Sequence, residues 1–262
     1  MTVREALAET ERRLAAAGIE TPRVDAEWLL AHVLGVSRTD IHTHDEVDIT
    51  ALEPLVERRV RREPLAYVLG EWGFRRLTLK TDHRALVPRP ETEIVVERAL
   101  VLIRDDREPR VLDLGVGSGA IALAIADEHP GARVTGVDTS EDALALAREN
   151  AEHLGLGVEL RRGGVETTAE GWDLVVANPP YVPTEALRRL QPELSWEPRD
   201  ALVDTGLHEQ LVRVARTRWL VVEVSDGQAD HVAAAFGNEG YGDIRITEDL
   251  TGRERVVEGR RV

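Results

Sequence analysis

Cysteine is absent from this chain of 262 residues. Disulfide bridges and thiolate metal sites are therefore excluded, and a reducing, cytoplasmic setting is the natural expectation. Long apolar runs are missing as well: no stretch approaches the ~18 uncharged residues that a membrane-spanning helix requires. The opening residues, MTVREALAETERRL, are charged and helical in period, unlike a signal peptide. Lysine occurs once, at Lys80, and arginine supplies the rest of the strong bases. Acids outnumber bases, for a formal net charge of −15. A protein that grips nucleic acid through its phosphates wants the opposite sign, so nucleic acid is disfavoured as a direct substrate. Eight histidines are scattered along the chain. The one close pair, His42 and His44, has no third ligand at a metal-binding spacing, and no metal is expected. What is present, 42% hydrophobic and 31% charged residues, suits a folded protein of one or two domains with a substantial core.

The first 70 residues read as helices. Val3, Leu7, Leu14 and Ala17 form an apolar stripe that stops at Gly18. Thr21 and Pro22 are a helix start, a cap residue followed by proline at the first helical position. Val24, Trp28, Leu29 and Val33 are expected to line the buried face of the second helix, with Gly35 as its end. A third helix is expected over 50–62, with Leu52, Leu55, Val56 and Val60 inward. Its other face carries Arg58, Arg59, Arg61 and Arg62, read as a solvated charged face or a partner surface. Residues 71–90 alternate weakly among turn residues and predict a β-hairpin and linker, with Trp72 and Phe74 packing it down.

From residue 91 onward strands alternate with helices. Strands are expected at 110–114, 133–138, 158–162, 173–177, 219–224, 243–248 and 254–259. Helices are expected at 91–103, 120–128, 141–154, 207–217 and 228–236. Short Val/Leu-rich strands bounded by Gly or Asp indicate a parallel sheet covered on both faces. The last two strands have no helix between them and predict an antiparallel hairpin at the sheet edge. The fold class is thus α/β, a Rossmann-like sheet of seven mostly parallel strands ending in that hairpin, behind a small N-terminal helical bundle.

Two segments carry chemistry. In VLDLGVGSGAIALAIA, Gly115, Gly117 and Gly119 allow a tight turn between a strand and a helix, and a close approach of a ligand to the backbone. Asp113 precedes the turn, and Asp138 ends the next strand about 20 residues on, where a carboxylate accepts ribose hydroxyls. A nicotinamide site would prefer G-x-G-x-x-G, but position 120 is Ala. The spacing favours an adenosyl cofactor, with Asp113 either toward its methionine end or capping the turn. The second segment is VVANPPYVP. Methyl transfer to an NH2 on an sp2 carbon is largely a positioning problem, because that lone pair is delocalised. Two acceptors can hold the two hydrogens: the Asn178 side-chain oxygen and the Pro179 carbonyl, stiffened by Pro180. Tyr181 offers a flat face for stacking. Adenine N6, cytosine N4 and a glutamine amide all satisfy such a site.

With these residues in view, the chain resembles the release-factor glutamine methyltransferases of the HemK/PrmC type. The matching segments are EPLAYVLGEWGF (63–74), LVPRPETE (86–93), the glycine turn, NPPYVP (178–183), EPRDALVDTGL (197–207) and DLTGRERVVEGR (249–260). The resemblance implies a substrate-recognising helical domain over 1–70, a hairpin linker over 71–90 and a class I methyltransferase domain over 91–262. It implies S-adenosylmethionine as cofactor, with S-adenosylhomocysteine as product. It also implies the glutamine of the Gly-Gly-Gln loop of a peptide chain release factor as acceptor, or a ribosomal-protein glutamine in a close relative. By this resemblance Asn178, Pro179, Pro180 and Tyr181 hold the acceptor amide. Asp113, Gly115, Val116, Gly117, Gly119, Asp138, Asn178, Arg89 and Glu91 surround the cofactor, and Glu197-Pro198 covers the substrate. Three departures touch the cofactor side. Val116 stands where a small polar residue is usual. RRGGVETT places Gly164 and Val165 where an acid and a large residue are usual, with Glu166 as a nearby substitute acid. VEVSDGQ replaces a more glycine-rich turn. An adenine N6-methyltransferase of DNA or RNA, and a cofactor-binding protein of this fold with weakened catalysis, remain as alternatives.

Overall fold

In the computed structural model, which describes residues 1–186 and 190–261, the chain forms two compact units. One joins residues 1–71 to 191–196; the other joins 72–190 to 197–262.

The first unit is helical. Helix α1 (Val3–Ala16) starts with a reciprocal capping box: Thr2 accepts from the Glu5 amide and the Glu5 carboxylate accepts from the Thr2 amide. Helix α2 (Pro22–Leu34) begins with proline at its first position and ends on Gly35 in the left-handed conformation. Helix α3 (Ile49–Val60) is capped by Asp48, which accepts from the Thr50 amide, and a short α4 (Leu65–Leu69) follows. Leu7, Leu14, Leu29, Leu30, Leu52 and Val56 fill the core.

The buried face of α2 differs from the expected one. Val24 and Trp28 are exposed, Val33 is half-buried, and Asp25, Ala26, Leu29 and Leu30 turn inward. The reason is polar. Asp25 is buried against Arg59 of α3, whose Nε donates to its carboxylate at 2.7 Å. Arg59 also donates to the Glu63 carbonyl and to Glu193 at 2.9 Å. Arg62 donates to Glu193 at 2.7 Å and to the carbonyl of Gly18. Arg58 donates to Glu63 and to the carbonyls of Tyr67 and Val68. The arginine cluster of α3 is therefore internal bracing, not an open docking face. Only Arg61 of the four stays well exposed, 3.9 Å from Glu57.

A hairpin of β1 (Glu71–Phe74) and β2 (Leu77–Lys80) comes next along the chain. Phe74 is fully buried and Trp72 half-buried. A single turn of 3-10 helix (Pro90–Thr92) then leads into α5 (Glu93–Ile103), because Pro90 can begin a helical turn but not continue one. The remaining elements are β3 (Arg110–Leu114), α6 (Ala120–Glu128), β4 (Arg133–Asp138), α7 (Glu141–Leu154), β5 (Glu159–Arg162), β6 (Trp172–Ala177), α8 (Leu207–Val214), β7 (Thr217–Glu223), α9 (Ala229–Asn238), β8 (Tyr241–Glu248) and β9 (Glu254–Arg261). Helix α8 stops three residues before the expected end, because Thr217 already pairs with Trp172 as strand.

The sheet order is β5-β4-β3-β6-β7-β9-β8. Strands β3 to β7 are mutually parallel, and β9 runs antiparallel between β7 and β8. Strand alternation sends Val111, Leu174 and Val176 into one apolar cluster with α5, α6 and α7. It sends Leu112, Leu114, Val175 and Ala177 into a second cluster with α8 and α9. Both faces are covered, which is why these strands read as nearly continuous apolar runs. Among the described residues no helix is long and apolar enough to cross a membrane, and no group of three or more His or acidic residues is arranged to hold a metal.

Candidate active site

Strand order reverses at β3 and β6, and ligands of such sheets bind beyond the carboxyl ends of the strands at that point. Leu114 is in register with Ala177. Gly115 and Asn178 are the next residues of each strand, so the glycine turn and the NPPY segment leave the sheet side by side.

The glycine turn is built from its neighbours. Gly115, with φ 77°, is left-handed, and a Cβ there would meet no protein atom within 4 Å. Gly119, at φ 90°, opens α6; a Cβ on it would sit 2.8 Å from Leu123 Cδ1. Val116 turns its side chain away from the turn into the core, where it backs Gly136, and its amide donates to the Val137 carbonyl at 2.9 Å. The side chain at position 116 is thus packing, and only the backbone of this residue is left to face a ligand. Asn150 of α7, fully buried, braces the arrangement: Nδ2 donates to the carbonyls of Ser118 and Lys80, and Oδ1 accepts from the Lys80 amide at 2.7 Å.

Two carboxylates flank the turn. Asp113 is 1% exposed, and its Oδ2 accepts from the Ala122 amide at 3.0 Å. That bond caps the first turn of α6, where Gly119 has no side chain to do so. Oδ1 of Asp113 is buried without a partner. Burial pushes this carboxyl up to about 7, against the pull of the Ala122 amide and with a smaller push from Asp138. Asp138 is half-buried; Oδ2 accepts from the Gly117 amide at 3.0 Å and Oδ1 from the Ser140 amide at 2.9 Å. An orphaned buried acceptor at one side of the turn and a fixed, half-exposed carboxylate at the other suit a ligand carrying an ammonium group and a ribose diol. These residues fit an adenosyl-methionine type of cofactor.

The segment after β5 lies beside this acid, since the Gly163 amide donates to the Asp138 carbonyl at 3.0 Å. Val165 packs against the apolar cluster under β6 and β7. The Glu166 carboxylate accepts from the Gly164 amide at 2.8 Å. The 163–166 turn closes on itself.

In the NPPY segment, Asn178 is half-buried, and its Nδ2 donates to Thr92 Oγ1 at 3.1 Å. The Tyr181 hydroxyl donates to Glu223 Oε1 at 3.4 Å. Burial, with the negative Glu223 beside it, holds this phenol well above its ordinary range, so Tyr181 stays neutral. Just beyond it, the Val182 amide donates to the Leu202 carbonyl and Val182 accepts from the Asp204 amide, each at 2.9 Å. The aromatic ring is therefore pinned between two prolines and a β-bridge to Val203. Glu223 ends β7, is 2% exposed, and is pushed up to about 7 by burial; the Thr92 hydroxyl pulls it down and the Glu91 charge adds to the rise. Arg255 of β9 is held by Asp249 at 2.8 Å and lies near enough to Glu91, Tyr181 and Glu223 to influence each electrostatically. Arg89 is paired with the buried Glu197, which also accepts from the Val87 amide at 3.0 Å. Arg89 and Glu197 thus lock the 86–89 segment to the loop that begins at Glu197.

Three residues here escaped sequence reading: Thr92, Glu223 and Arg255. Each sits inside a segment singled out in the sequence, PRPETE, VEVSDGQ or TGRERVV. The signal available was a polar residue at a strand end or first helical turn, which is ambiguous without its partners.

A smaller prediction arises at Asp113. Its folded-state value near 7 lies above the unfolded value, so folding takes up a proton between pH ~4 and ~7 and stability falls as pH rises through that window. Asp113→Asn keeps the Ala122 cap and removes the titration. Urea unfolding without ligand should show the variant gaining on the parent from pH ~4 to ~7, by up to about 4 kcal/mol. A pH-independent difference would mean that Asp113 is ionised throughout.

Comparison with known proteins identifies the family. A family profile described as the PrmC N-terminal domain matches residues 5–70, and one described as a methyltransferase small domain matches residues 95–218. The chain is 40% identical to the release factor glutamine methyltransferase of Geobacter sulfurreducens, over 99% of this chain and 96% of that protein. Identity to the enzyme of the same name from Deinococcus radiodurans is also 40%, over 100% and 99%. Among solved structures, the T. Thermophilus 16S rRNA methyltransferase RsmC in complex with AdoMet and guanosine has a TM-score of 0.55 at 18% identity, covering 73% of this chain and 50% of that one. That likeness is one of fold.

Proposed function

The chain belongs to the release factor glutamine methyltransferase family, and from that premise we propose that it methylates N5 of the glutamine side chain in the Gly-Gly-Gln loop of a peptide chain release factor. The observation that carries the reading is the Leu114–Ala177 register, which brings the glycine turn and Asn178 out at one switch point. S-Adenosylmethionine, when bound, supplies a methyl group activated on a sulfonium sulfur. Gly115, Gly117, Gly119, Asp113 and Asp138 would hold it; Val116 would contribute backbone only.

The work of this chain is to present the acceptor. An amide nitrogen is a poor nucleophile because its lone pair is delocalised into the plane. Asn178 Oδ1 and the Pro179 carbonyl would accept its two N–H groups, orient the lone pair and stabilise positive charge developing on nitrogen. Tyr181, neutral and tethered by its hydroxyl, would stack its face on the planar amide. No strong base is needed, since the proton leaves after the methyl is in place. Arg89 and Glu91 would shape the crevice wall, with the Glu197 loop over the substrate. The helical domain over 1–70 would recognise the release factor, and the enzyme would act in the cytoplasm.

The test is incubation with labelled S-adenosylmethionine and three separate acceptors: a release factor, a ribosomal-protein extract and an adenine-containing duplex. Label on the release factor, removed by changing the loop glutamine, is the expected result. Label confined to the duplex would overturn the reading. Titration calorimetry with S-adenosylmethionine is the companion measurement, and no binding heat at high micromolar ligand would instead indicate a catalytically weakened relative.

A further inference from the structure

Glycine permits a turn but does not choose its shape, because it visits left- and right-handed backbone with nearly equal ease. Gly119, at φ 90°, therefore relies on its surroundings to hold the peptide that joins it to Ser118. Both ends of that peptide are tied. The Gly119 amide donates to the Val116 carbonyl at 2.8 Å, and the Ser118 carbonyl accepts from Asn150 Nδ2 at 2.9 Å. The first tie is local to the turn. The second comes from α7, more than 30 residues along the chain.

We propose that Asn150 is a positioning residue for the cofactor. By holding the Ser118 carbonyl and the main chain of Lys80 together, it fixes the glycine turn and the segment laid against it in the shape that receives S-adenosylmethionine. This rests on the reading of the glycine turn as the cofactor site. Asn150 is fully buried, and its carboxamide is used as a peptide group would be. Oδ1 accepts from the Lys80 amide at 2.7 Å, and Nδ2 donates to the Lys80 carbonyl at 3.1 Å as well as to Ser118. Two carbonyls demand two donors, so the orientation of the carboxamide is settled by its partners. The residue type follows too. A carboxylate only accepts and a hydroxyl carries one hydrogen, whereas a carboxamide supplies an acceptor and two donors.

Lys80 ends β2, and the chain beyond it runs to the glycine turn. Arg84 donates to Glu149, the neighbour of Asn150, at 2.7 and 3.0 Å. Ala85 is buried, and its Cβ lies 3.9 Å from where a Cβ on Gly117 would stand. Two adjacent residues of α7 thus hold the 80–85 segment beside the turn. The start of α7 belongs to the same assembly, since the amide of its cap residue Ser140 donates to Asp138 Oδ1 at 2.9 Å. A helix that had only to cover the sheet would carry an apolar residue at 150, because burying a carboxamide costs stability unless its partners need it. At this position the partners are three main-chain groups, one of them inside the glycine turn.

The test uses the full chain, with S-adenosylmethionine binding followed by calorimetry and turnover measured on a purified release factor. Asn150→Ala and Asn150→Asp should each raise the Kd and KM for S-adenosylmethionine by about 10- to 100-fold. Turnover at saturating S-adenosylmethionine, and KM for the release factor, should stay within about threefold of the parent. Arg98→Met is the structural control, because it breaks a buried ion pair of the same unit, between α5 and Glu258 of β9 at 2.6 Å. It should lower the melting temperature and leave S-adenosylmethionine affinity within about twofold. Parental affinity in either folded Asn150 variant, or an equal loss of affinity in Arg98→Met, would overturn the proposal. Hydrogen exchange in the parent tests it without any variant. S-Adenosylmethionine should slow exchange of the Gly119 and Lys80 amides together, by about fivefold or more. Lys80 exchange left unchanged by bound cofactor would show that Asn150 does not join the two segments. No binding heat in the parent would remove the cofactor reading itself, and the inference with it.

Discussion

Asn178→Ala is expected to lower turnover by about 100- to 1,000-fold, the range found when one donor or acceptor is removed from a preorganised polar site. The variant deletes Oδ1, one of the two acceptors proposed for the substrate NH2, and would leave the Pro179 carbonyl to hold it alone. The main chain should be undisturbed, because β6 is paired on both sides up to Ala177 and Val182 is bridged to Val203. Binding of S-adenosylmethionine, followed by calorimetry, should stay within about twofold, since the groups suited to it belong to the glycine turn and Asp138. Cofactor affinity that collapses together with turnover would move Asn178 from the acceptor to the cofactor.

Arg59→Met should cost about 3–5 kcal/mol of helical-unit stability. The guanidinium is 7% exposed and serves Asp25, the Glu63 carbonyl and Glu193 together. Removing it strands Asp25, itself 4% exposed, with only the Thr21 hydroxyl among the described residues as a remaining donor, at 2.9 Å. An unpaired buried carboxylate is the larger part of that loss. Replacing both partners with apolar residues, Arg59→Met with Asp25→Leu, should therefore recover much of it. Hydrogen exchange of the α1, α2 and α3 amides in the full chain reports the helical unit directly. Protection unchanged in Arg59→Met would show that the cluster is solvated after all, as a surface reading of the sequence suggests.

The contrast between these two sites shows how much was legible beforehand. The positions of Asn178, the glycine turn and Asp138 at strand ends were readable because strand, turn and helix signals are local. Strand β3, strand β4 and helices α6 and α7 lie where periodicity and bounding Gly or Asp residues place them. The arginines of α3 were misread for the opposite reason. A 3.6-residue period separates charged from apolar positions, but it cannot say that an acid on α2 and another at position 193 close over the charged side. Val24 and Trp28 were misplaced by the same logic, because the buried stripe of α2 was chosen by a carboxylate.

By itself, then, the sequence determined the order of elements, the two-faced sheet and the two chemical segments, because backbone propensity, turn chemistry and side-chain alternation act over a few residues. The tertiary structure alone decided that Val116 is packing, that Glu166 accepts from the amide of Gly164, that Thr92 meets Asn178, and that Glu223 and Arg255 lie near Tyr181. Those outcomes depend on hydrogen-bond direction and burial among residues far apart in the chain, and a polar side chain acquires its role only from the partner that folding brings to it.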